Sequence, residues 1–527
     1  MTAPAFSLAS SFSWFRSLAA ALRARRGWPR AATALLAGAL AALAFPPFDA
    51  VPVLWLSFPT LIFLLQGTQN LCEAFLTGWC FAFGFGVLSF YWIAGALFVD
   101  IGHFWWVLPF AVAGLPAVLA VYYGLAAALA RKIGLGGIAG AVTLALFWFL
   151  ADYARGHLFT GCPWDIFGYV WADFLPALQI TSIAGIYGLT LLTLVIVCLP
   201  ACLADNTWRA RYAVGSSLIF LVLLLVWGTW RAEASPASYF PDVRLRLVQP
   251  ATNQRLKWQT ERREVNFQHI LQLSAAPAEK PVTDIIWPET AATFYLTEDS
   301  VHRNEIAALV PSAGAVITGV IRRAQDEFGL IHYYNSLIAI DGRGRVIAGY
   351  DKFHLVPFGE YVPFRKYLPM RALTALGVDF STGDGLRTLR MLGLPAFSPL
   401  ICYEAIFPGE VADHSDLPQF LLNLTNDGWY AHTTGPYQHF AIARVRAIEE
   451  GLPLVRAANR GVNAVIDPYG RIEAKLGWEK EGFIDSDLPK PLASPTIFSR
   501  IGDQPMWILF ALLAVAIIGI KLKSLKV

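Results

Sequence analysis

Phe397-Ser-Pro-Leu-Ile-Cys-Tyr-Glu404 is a short apolar run that ends in a thiol, with a carboxylic acid two residues on. A run of this length reads as a buried strand, which places Cys402 at a strand end. Of the six cysteines, Cys402 alone lies outside an apolar membrane-like stretch or its flanking loops. No C-x-x-C pair occurs, and Cys402 has no cysteine partner in its own part of the chain, so no disulfide forms there. A lone thiol in this position is a candidate nucleophile, because a thiol set beside a base attacks carbonyl carbon well.

Working outward, the same region alternates strands with helical stretches. Val243–Gln249 alternates with period two, as a half-buried strand does. Further strands are expected at 284–287, 315–320, 336–340, 346–349, 420–424 and 462–466, and helices at 261–275 and 438–450. Asp341-Gly-Arg-Gly344 is a hairpin turn signal between two of these strands. Strands bounded by helices imply a layered α/β domain. Three strand ends carry polar chemistry. Glu289 follows the strand that Pro288 terminates, Lys352 follows a second strand, and Cys402 ends a third. Sites form beyond strand carboxyl ends in α/β sheets. A carboxylate, an ammonium and a thiol gathered there suit acyl transfer: the carboxylate takes the thiol proton, and the cation stabilises thiolate and oxyanion. Taken singly, each has a plain alternative, a core cysteine or a solvated charge.

The rest of the chain has a different character. The 527 residues are 56% hydrophobic and 15% charged, against about one quarter charged in a soluble domain. Mean hydropathy is +0.49. The apolar residues concentrate between Arg30 and Trp230 and again from Pro505 to Leu522, whereas 231–500 reads as soluble. A helical span needs roughly 20 apolar residues. Eight stretches approach that: 31–48, 51–65, 74–99, 104–130, 135–150, 177–204, 215–230 and 506–522, with the second, fifth and seventh short. The expected organisation is a basic terminus (1–30), a seven-span bundle (31–232), a soluble domain (233–500), a last span (505–522) and a short tail (523–527).

Lysine and arginine placement orients such a bundle. Arg16, Arg23, Arg25, Arg26 and Arg30 precede the first span, Arg131 and Lys132 follow the fourth, Arg209 and Arg211 the sixth, and Lys521, Lys523 and Lys526 the last. All fall on one side of an even-span arrangement, the cytoplasmic side, which puts the soluble domain on the other. Phe45-Pro-Pro-Phe48 follows the first span in place of a small-residue cleavage site, so an uncleaved anchor is expected. The net charge of +3, with no dense basic tract, argues against nucleic acid. The loop from Arg155 to Tyr169 mixes aromatics with Gly and Pro. It fits an interfacial aromatic belt or the wall of a lipid-facing cavity. Residues 364–376, apolar with interspersed cations, fit a core helix or a lid on the membrane surface.

Trp287-Pro-Glu289, Lys352 with His354-Leu-Val-Pro-Phe-Gly-Glu360, and Cys402-Tyr-Glu404 resemble the Glu-Lys-Cys site of the nitrilase, or carbon–nitrogen hydrolase, superfamily. Asn423–Trp429, Gly435–His439, Arg444–Glu449 and Arg456–Asn459 extend the match. With the apolar bundle and the loop Thr160-Gly-Cys-Pro-Trp164, the chain resembles a membrane-bound acyltransferase branch of that superfamily. The resemblance implies an αββα sandwich on an eight-span α-helical bundle in a bacterial inner membrane, facing the periplasm. It implies transfer of a fatty acyl chain from a phospholipid to the α-amino group of a lipoprotein's diacylglyceryl-cysteine. It assigns Glu289 as general base, Lys352 as oxyanion stabiliser and Cys402 as nucleophile, with Glu360, Tyr403 and Glu404 in support. Substrate contacts fall to Trp258, Asn335 and Trp164. The chain departs from the pattern at Cys162, where an aromatic is usual. The chemistry calls for no metal or soluble cofactor. A membrane-tethered amidase remains open on the chemistry alone. A transporter or scaffold with an inactive domain is disfavoured by the intact trio and by the scarcity of intramembrane charges.

Overall fold

The computed structural model describes residues 13–311, 314–367, 377–430 and 432–524. They form two compact units. One takes the described residues up to Tyr91, Trp106–Arg231 and those from Ile501 on; the other takes Trp92–Trp105 and Ala232–Arg500.

The first unit is helical. Six of its helices are long and apolar enough to cross a membrane: Leu71–Phe90, Phe110–Ile133, Gly137–His157, Thr181–Asp205, Trp208–Glu233 and Gln504–Leu522. Gly27–Ala42 and Val51–Gln66 are shorter. The boundaries differ from the sequence expectation in instructive ways. The apolar run 74–99 is not one helix. It ends at Phe90, and Trp92 then packs edge-on against Tyr430 at 4.8 Å in the second unit. Composition cannot separate an apolar run that faces lipid from one that faces protein. The fifth run, expected to stop at Leu150, continues to His157. Its last turns carry Asp152 and Arg155, both buried and 3.4 Å apart, and Tyr123 OH donates to Asp152 at 2.5 Å. Paired charges can stay in an apolar helix that a hydropathy window would cut short. The seventh run grows from 215–230 to Trp208–Glu233.

Two further expectations change. Arg30, counted among the flanking cations, is buried inside Gly27–Ala42 and pairs with Glu73 at 2.5 Å. The loop after Arg155 leaves Phe159 exposed but turns its later aromatics inward. Arg155 Nη1 donates to the carbonyls of Cys162 (2.8 Å) and Trp164 (2.7 Å). Trp164, Phe167 and Tyr169 are buried, with Phe167 against Phe58 and Phe85.

The second unit holds two six-stranded sheets. The strands are β1 (Tyr239–Gln249), β2 (Asp284–Ile286), β3 (Val316–Gln325), β4 (Ile331–Ile340), β5 (Val346–Asp351), β6 (Leu389–Met391), β7 (Leu394–Ile401), β8 (Phe420–Asn426), β9 (Leu454–Asn459), β10 (Asn463–Ile466), β11 (Ile472–Leu476) and β12 (Gly482–Pro489). Their orders are β12-β1-β2-β3-β4-β5 and β11-β10-β9-β8-β7-β6. In each sheet three parallel strands sit centrally, β1-β2-β3 and β7-β8-β9, with antiparallel strands outside.

Side-chain alternation sorts the apolar residues into layers. Leu245, Leu247, Ile286 and Ile317 from one sheet meet Phe397, Leu422, Leu424 and Val455 from the other. On the first sheet's outer face, Ile285, Trp287 and Val316 pack on Phe267 and Ile270 of helix Thr260–Ser274. On the second sheet's outer face, Leu400, Leu421 and Leu454 pack on Ala443 and Ala447 of helix Gly435–Glu450. The result is helix, sheet, sheet, helix. Central parallel strands must be apolar on both faces for this, which is why β2, β8 and β9 are buried throughout. The expected hairpin forms at Asp341, whose side chain accepts the N–H groups of Arg343 and Arg345, both at 2.9 Å. Of the expected lid at 364–376, residues 368–376 lie outside the described residues. Phe364 and Tyr367 of its described part are exposed.

Candidate active site

Glu289, Lys352 and Cys402 stand just beyond β2, β5 and β7, and the layered core brings these ends together. The charges of Glu289 and Lys352 both act on the Cys402 thiol. All three side chains are buried.

Cys402 occupies a strained turn. Its φ is +52°, a region few residues with a Cβ adopt. β7 ends at Ile401 and a single 3₁₀ turn, Cys402–Ile406, begins. Glu404 holds this turn: its Oε2 accepts the Ile401 N–H at 2.7 Å. Its Oε1 accepts from Tyr350 OH (2.8 Å) and from the N–H groups of Phe353 (2.8 Å) and His354 (3.2 Å). Glu404 therefore ties the residue before Cys402 to the residue after Lys352. Burial pushes its carboxyl up, against these donors and Lys352.

The two other acids differ in their partners. Glu360 accepts from Lys352 Nζ (2.8 Å), the Val356 N–H (2.8 Å) and Asn335 Nδ2 (2.9 Å). Glu289 accepts from Asn335 Nδ2 at 2.7 Å through Oε1, and its Oε2 has no hydrogen-bond partner among the described residues. Burial, with the nearby Glu360 charge, raises the Glu289 carboxyl above its usual range, although Lys352 opposes this. Burial works against the Lys352 ammonium, but Glu360, Cys402 and Glu289 outweigh it and hold the group protonated. The Cys402 thiol is pushed up to about 12 by burial and the Glu289 charge. A preformed thiolate is thus disfavoured, and the proton must leave as the sulfur attacks. A raised carboxylate with one free oxygen suits that task.

Glu289 is positioned by a crowded backbone. Thr290 follows it at φ +45°, a costly value for a β-branched residue. Gly319 on β3 lies so close that a Cβ there would sit 2.4 Å from Thr290 N and 2.6 Å from Glu289 Cα. Lys257, buried, donates to Thr290 Oγ1 at 2.9 Å and points to the Glu289 carbonyl at 3.4 Å. Burial pulls its ammonium down to about 8, against the Glu289 charge. Sequence reasoning passed over Lys257. Its only signal is its place between Leu256 and Trp258, where a lysine reads as solvated.

The other expected site residues fall in different places. Asn335 has its Nδ2 committed to the two carboxylates. Tyr403 is half-buried beside Phe407 and His354. Trp258 lines a small cavity with Arg263, Thr293, Phe294, Tyr295 and Ile321. Trp164 is buried within the helical unit. A further buried cluster, Asp427, His439 and Arg456, lies behind Cys402: Arg456 Nη2 pairs with Asp427 Oδ2 at 2.9 Å, and His439 Nε2 is 3.2 Å from the Cys402 carbonyl.

The double sheet and the strand-end Glu, Lys and Cys define a carbon–nitrogen hydrolase domain, and that family's profile matches residues 244–497. The profile of the apolipoprotein N-acyltransferase N-terminal domain matches residues 37–199. Apolipoprotein N-acyltransferase of Rhodopseudomonas palustris is 43% identical over 93% of this chain and 95% of its own. That of Bradyrhizobium diazoefficiens is 41% identical over 95% and 97%, and that of Brucella suis 37% over 88% and 91%. Among solved structures, an amidase from Nesterenkonia sp. aligns with a TM-score of 0.34 at 19% identity, over 49% of this chain and 94% of its own. The chain belongs to the apolipoprotein N-acyltransferase family.

Proposed function

We propose that this protein transfers a fatty acyl chain from a membrane phospholipid to the α-amino group of a lipoprotein's amino-terminal S-diacylglyceryl-cysteine. The observation that carries the reading is the free Oε2 of buried Glu289 in the same site as Lys352 and Cys402, in a chain of this family.

In the first half-reaction Glu289 takes the Cys402 proton as the sulfur attacks the phospholipid ester. Lys352 and nearby backbone N–H groups stabilise the tetrahedral oxyanion. The proton passes to the leaving lysophospholipid, and a Cys402 thioester remains. In the second half-reaction Glu289 deprotonates the lipoprotein amine, which attacks the thioester to give the amide. One site serves both substrates in turn, so the kinetics are ping-pong. Glu360 holds Lys352, and Glu404 holds the two loops that carry Lys352 and Cys402. Tyr403, Trp258, Asn335 and Trp164 are the proposed supporting and substrate-contact residues.

The proposed setting is a bacterial inner membrane crossed eight times, with 31–232 and 505–522 as its spanning parts. Residues 1–30 and 523–527 lie in the cytoplasm and 233–500 in the periplasm. The basic flanks support this orientation.

Purified protein incubated with acyl-labelled phospholipid forms a hydroxylamine-sensitive label on Cys402. Adding a diacylated lipopeptide moves that label to the peptide. Cys402→Ala forms neither product. Release of free fatty acid with no labelled peptide would identify a hydrolase instead, and transfer by Cys402→Ala would remove the nucleophile assignment.

A further inference from the structure

Thr425 is the buried penultimate residue of β8, the strand that runs parallel beside β7. The register pairs Ile401 with Leu424, which sets Thr425 beside Cys402, and the Thr425 side chain acts on the Cys402 thiol as a hydrogen-bond partner that favours the thiolate. Its hydroxyl also lies 3.2 Å from Asp427 Oδ1 and donates to it. A hydroxyl has one proton and two lone pairs. While it donates to Asp427, it can only accept from the Cys402 thiol. Once the thiol has lost its proton, the same hydroxyl can turn and donate to sulfur.

Asp427 can tolerate that loss. Its carboxylate keeps Arg456 Nη2 at 2.9 Å and 3.2 Å and His439 Nδ1 at 2.9 Å. Burial opposes its charge, but Arg456 and His439 hold its carboxyl below the usual range. The far side of His439 closes a ring, with Nε2 3.2 Å from the Cys402 carbonyl. Sulfur, Thr425, Asp427, His439 and the Cys402 carbonyl thus form one circuit around the strained residue.

We propose that the Thr425 hydroxyl is a catalytic group of this site, a rotor that accepts from the resting Cys402 thiol and donates to the thiolate in both half-reactions. The proposal rests on Cys402 being the nucleophile. In acylation the S–H bond breaks, its proton goes to Glu289, and the sulfur electron pair forms the bond to the ester carbon. The Thr425 O–H bond stays intact, and its hydrogen swings from Asp427 Oδ1 to Sγ. In transfer the C–S bond breaks with its electrons leaving on sulfur, Thr425 donates to it again, and the proton that Glu289 took from the amine returns to sulfur.

The charged and titratable groups facing the thiol are Glu289 past β2, Lys352 past β5, and Asp427 and Tyr430 past β8. None of them changes in Thr425→Val, which keeps the β-branched shape and loses only the hydroxyl. The test uses the full-length protein in detergent, with two readouts. One is the rate at which iodoacetamide alkylates Cys402, followed on its own peptide across pH. The other is single-turnover labelling from acyl-labelled phospholipid. Thr425→Val should slow both by about 10- to 100-fold, the effect of losing one hydrogen bond to an ionised group. Its alkylation profile should move to higher pH. Thr425→Ser should restore wild-type behaviour. A Thr425→Val protein with the wild-type profile and rate overturns the rotor, as does a Thr425→Ser protein as slow as the valine variant. Both outcomes leave the nucleophile assignment standing. Only transfer by Cys402→Ala, run in parallel, removes that.

Discussion

Lys352 Nζ lies 2.8 Å from Glu360 Oε2, and this ion pair distinguishes the two acids of the site. Glu360 commits both oxygens to Lys352, Val356 and Asn335. Glu289 shares the same Asn335 amide but leaves Oε2 without a partner among the described residues. Two carboxylates near one ammonium thus take different parts. One fixes the cation, and the other is available to move a proton.

Glu360→Gln should therefore harm both the fold and the chemistry. Breaking one side of a buried pair leaves the other charge uncompensated, at a cost of about 3–5 kcal/mol. Thermal melts should show that loss. Acyl-enzyme formation from labelled phospholipid should fall about 100-fold, because an ammonium no longer held in place misaligns the oxyanion contact. A variant that melts and labels like the wild type would show that Lys352 needs no such anchor.

Glu289→Gln should separate stability from activity. The folded state raises the Glu289 carboxyl, first by burial. Its stabilising contribution is fully present below the unfolded value of about 4.3 and is lost as pH rises through the raised folded value. At neutral pH the charged carboxylate thus works against the fold. The glutamine variant should melt at or above the wild-type temperature at pH 7, and this advantage should vanish in acid. Acylation should drop by about 10²- to 10⁴-fold, the range for loss of a general base. In the wild type, acylation should fail as pH drops through the raised carboxyl, above the ordinary glutamate range. Melting curves and labelling rates across pH read both effects.

Much of this architecture was legible in the sequence, for local reasons. Pro288 ends β2, and the apolar run before Cys402 ends β7, so two of the strand ends announce themselves. What escaped depends on partners far along the chain. β9 contains Arg456, which reads as a break in an apolar strand until Asp427, 29 residues away, pairs with it. β11 and β12 carry lysine and acids because β11 along its length and β12 over its first half are only partly buried on both faces, and they lacked the alternation that identified β1. The run 74–99 looked like one span because composition does not show that the residues from Trp92 on belong to the second unit, where Trp92 packs against Tyr430. Lys257 was invisible for the converse reason: nothing in its neighbourhood along the chain announces a buried ammonium.

Glu404→Ala should be among the most damaging single changes in the domain. Its carboxylate gathers four donors from Ile401, Tyr350, Phe353 and His354. Orphaning even two buried donors costs about 2–6 kcal/mol at 1–3 each. Because the donors flank Cys402 and Lys352, activity should fall even where the protein still folds. Glu404→Gln keeps an oxygen for one set of donors and should lose less stability than alanine. Denaturant unfolding of both variants orders the two costs, and equal losses would mean the carboxylate does not bridge the loops.

Gly319→Ala is the sharpest test of how Glu289 is placed, because the obstacle is backbone. The added Cβ would lie 2.4 Å from Thr290 N and 2.6 Å from Glu289 Cα. A side chain could rotate away from such a contact; a peptide can only move as a whole. β3 is held between β2 and β4, so the turn that carries Glu289 must yield. Overpacking of this kind costs about 1–3 kcal/mol, and a displacement near 1 Å at a catalytic group costs about 100-fold in rate. The expected result is a folded protein with a modestly lower melting temperature and a much larger loss of acyl-enzyme formation. Alkylation of Cys402 by iodoacetamide should slow as well, because the sulfur and its turn are untouched but the carboxylate that takes the thiol proton is displaced. Wild-type acylation in this variant would show that Glu289 has freedom its crowded backbone does not suggest, and would weaken its assignment as the positioned base.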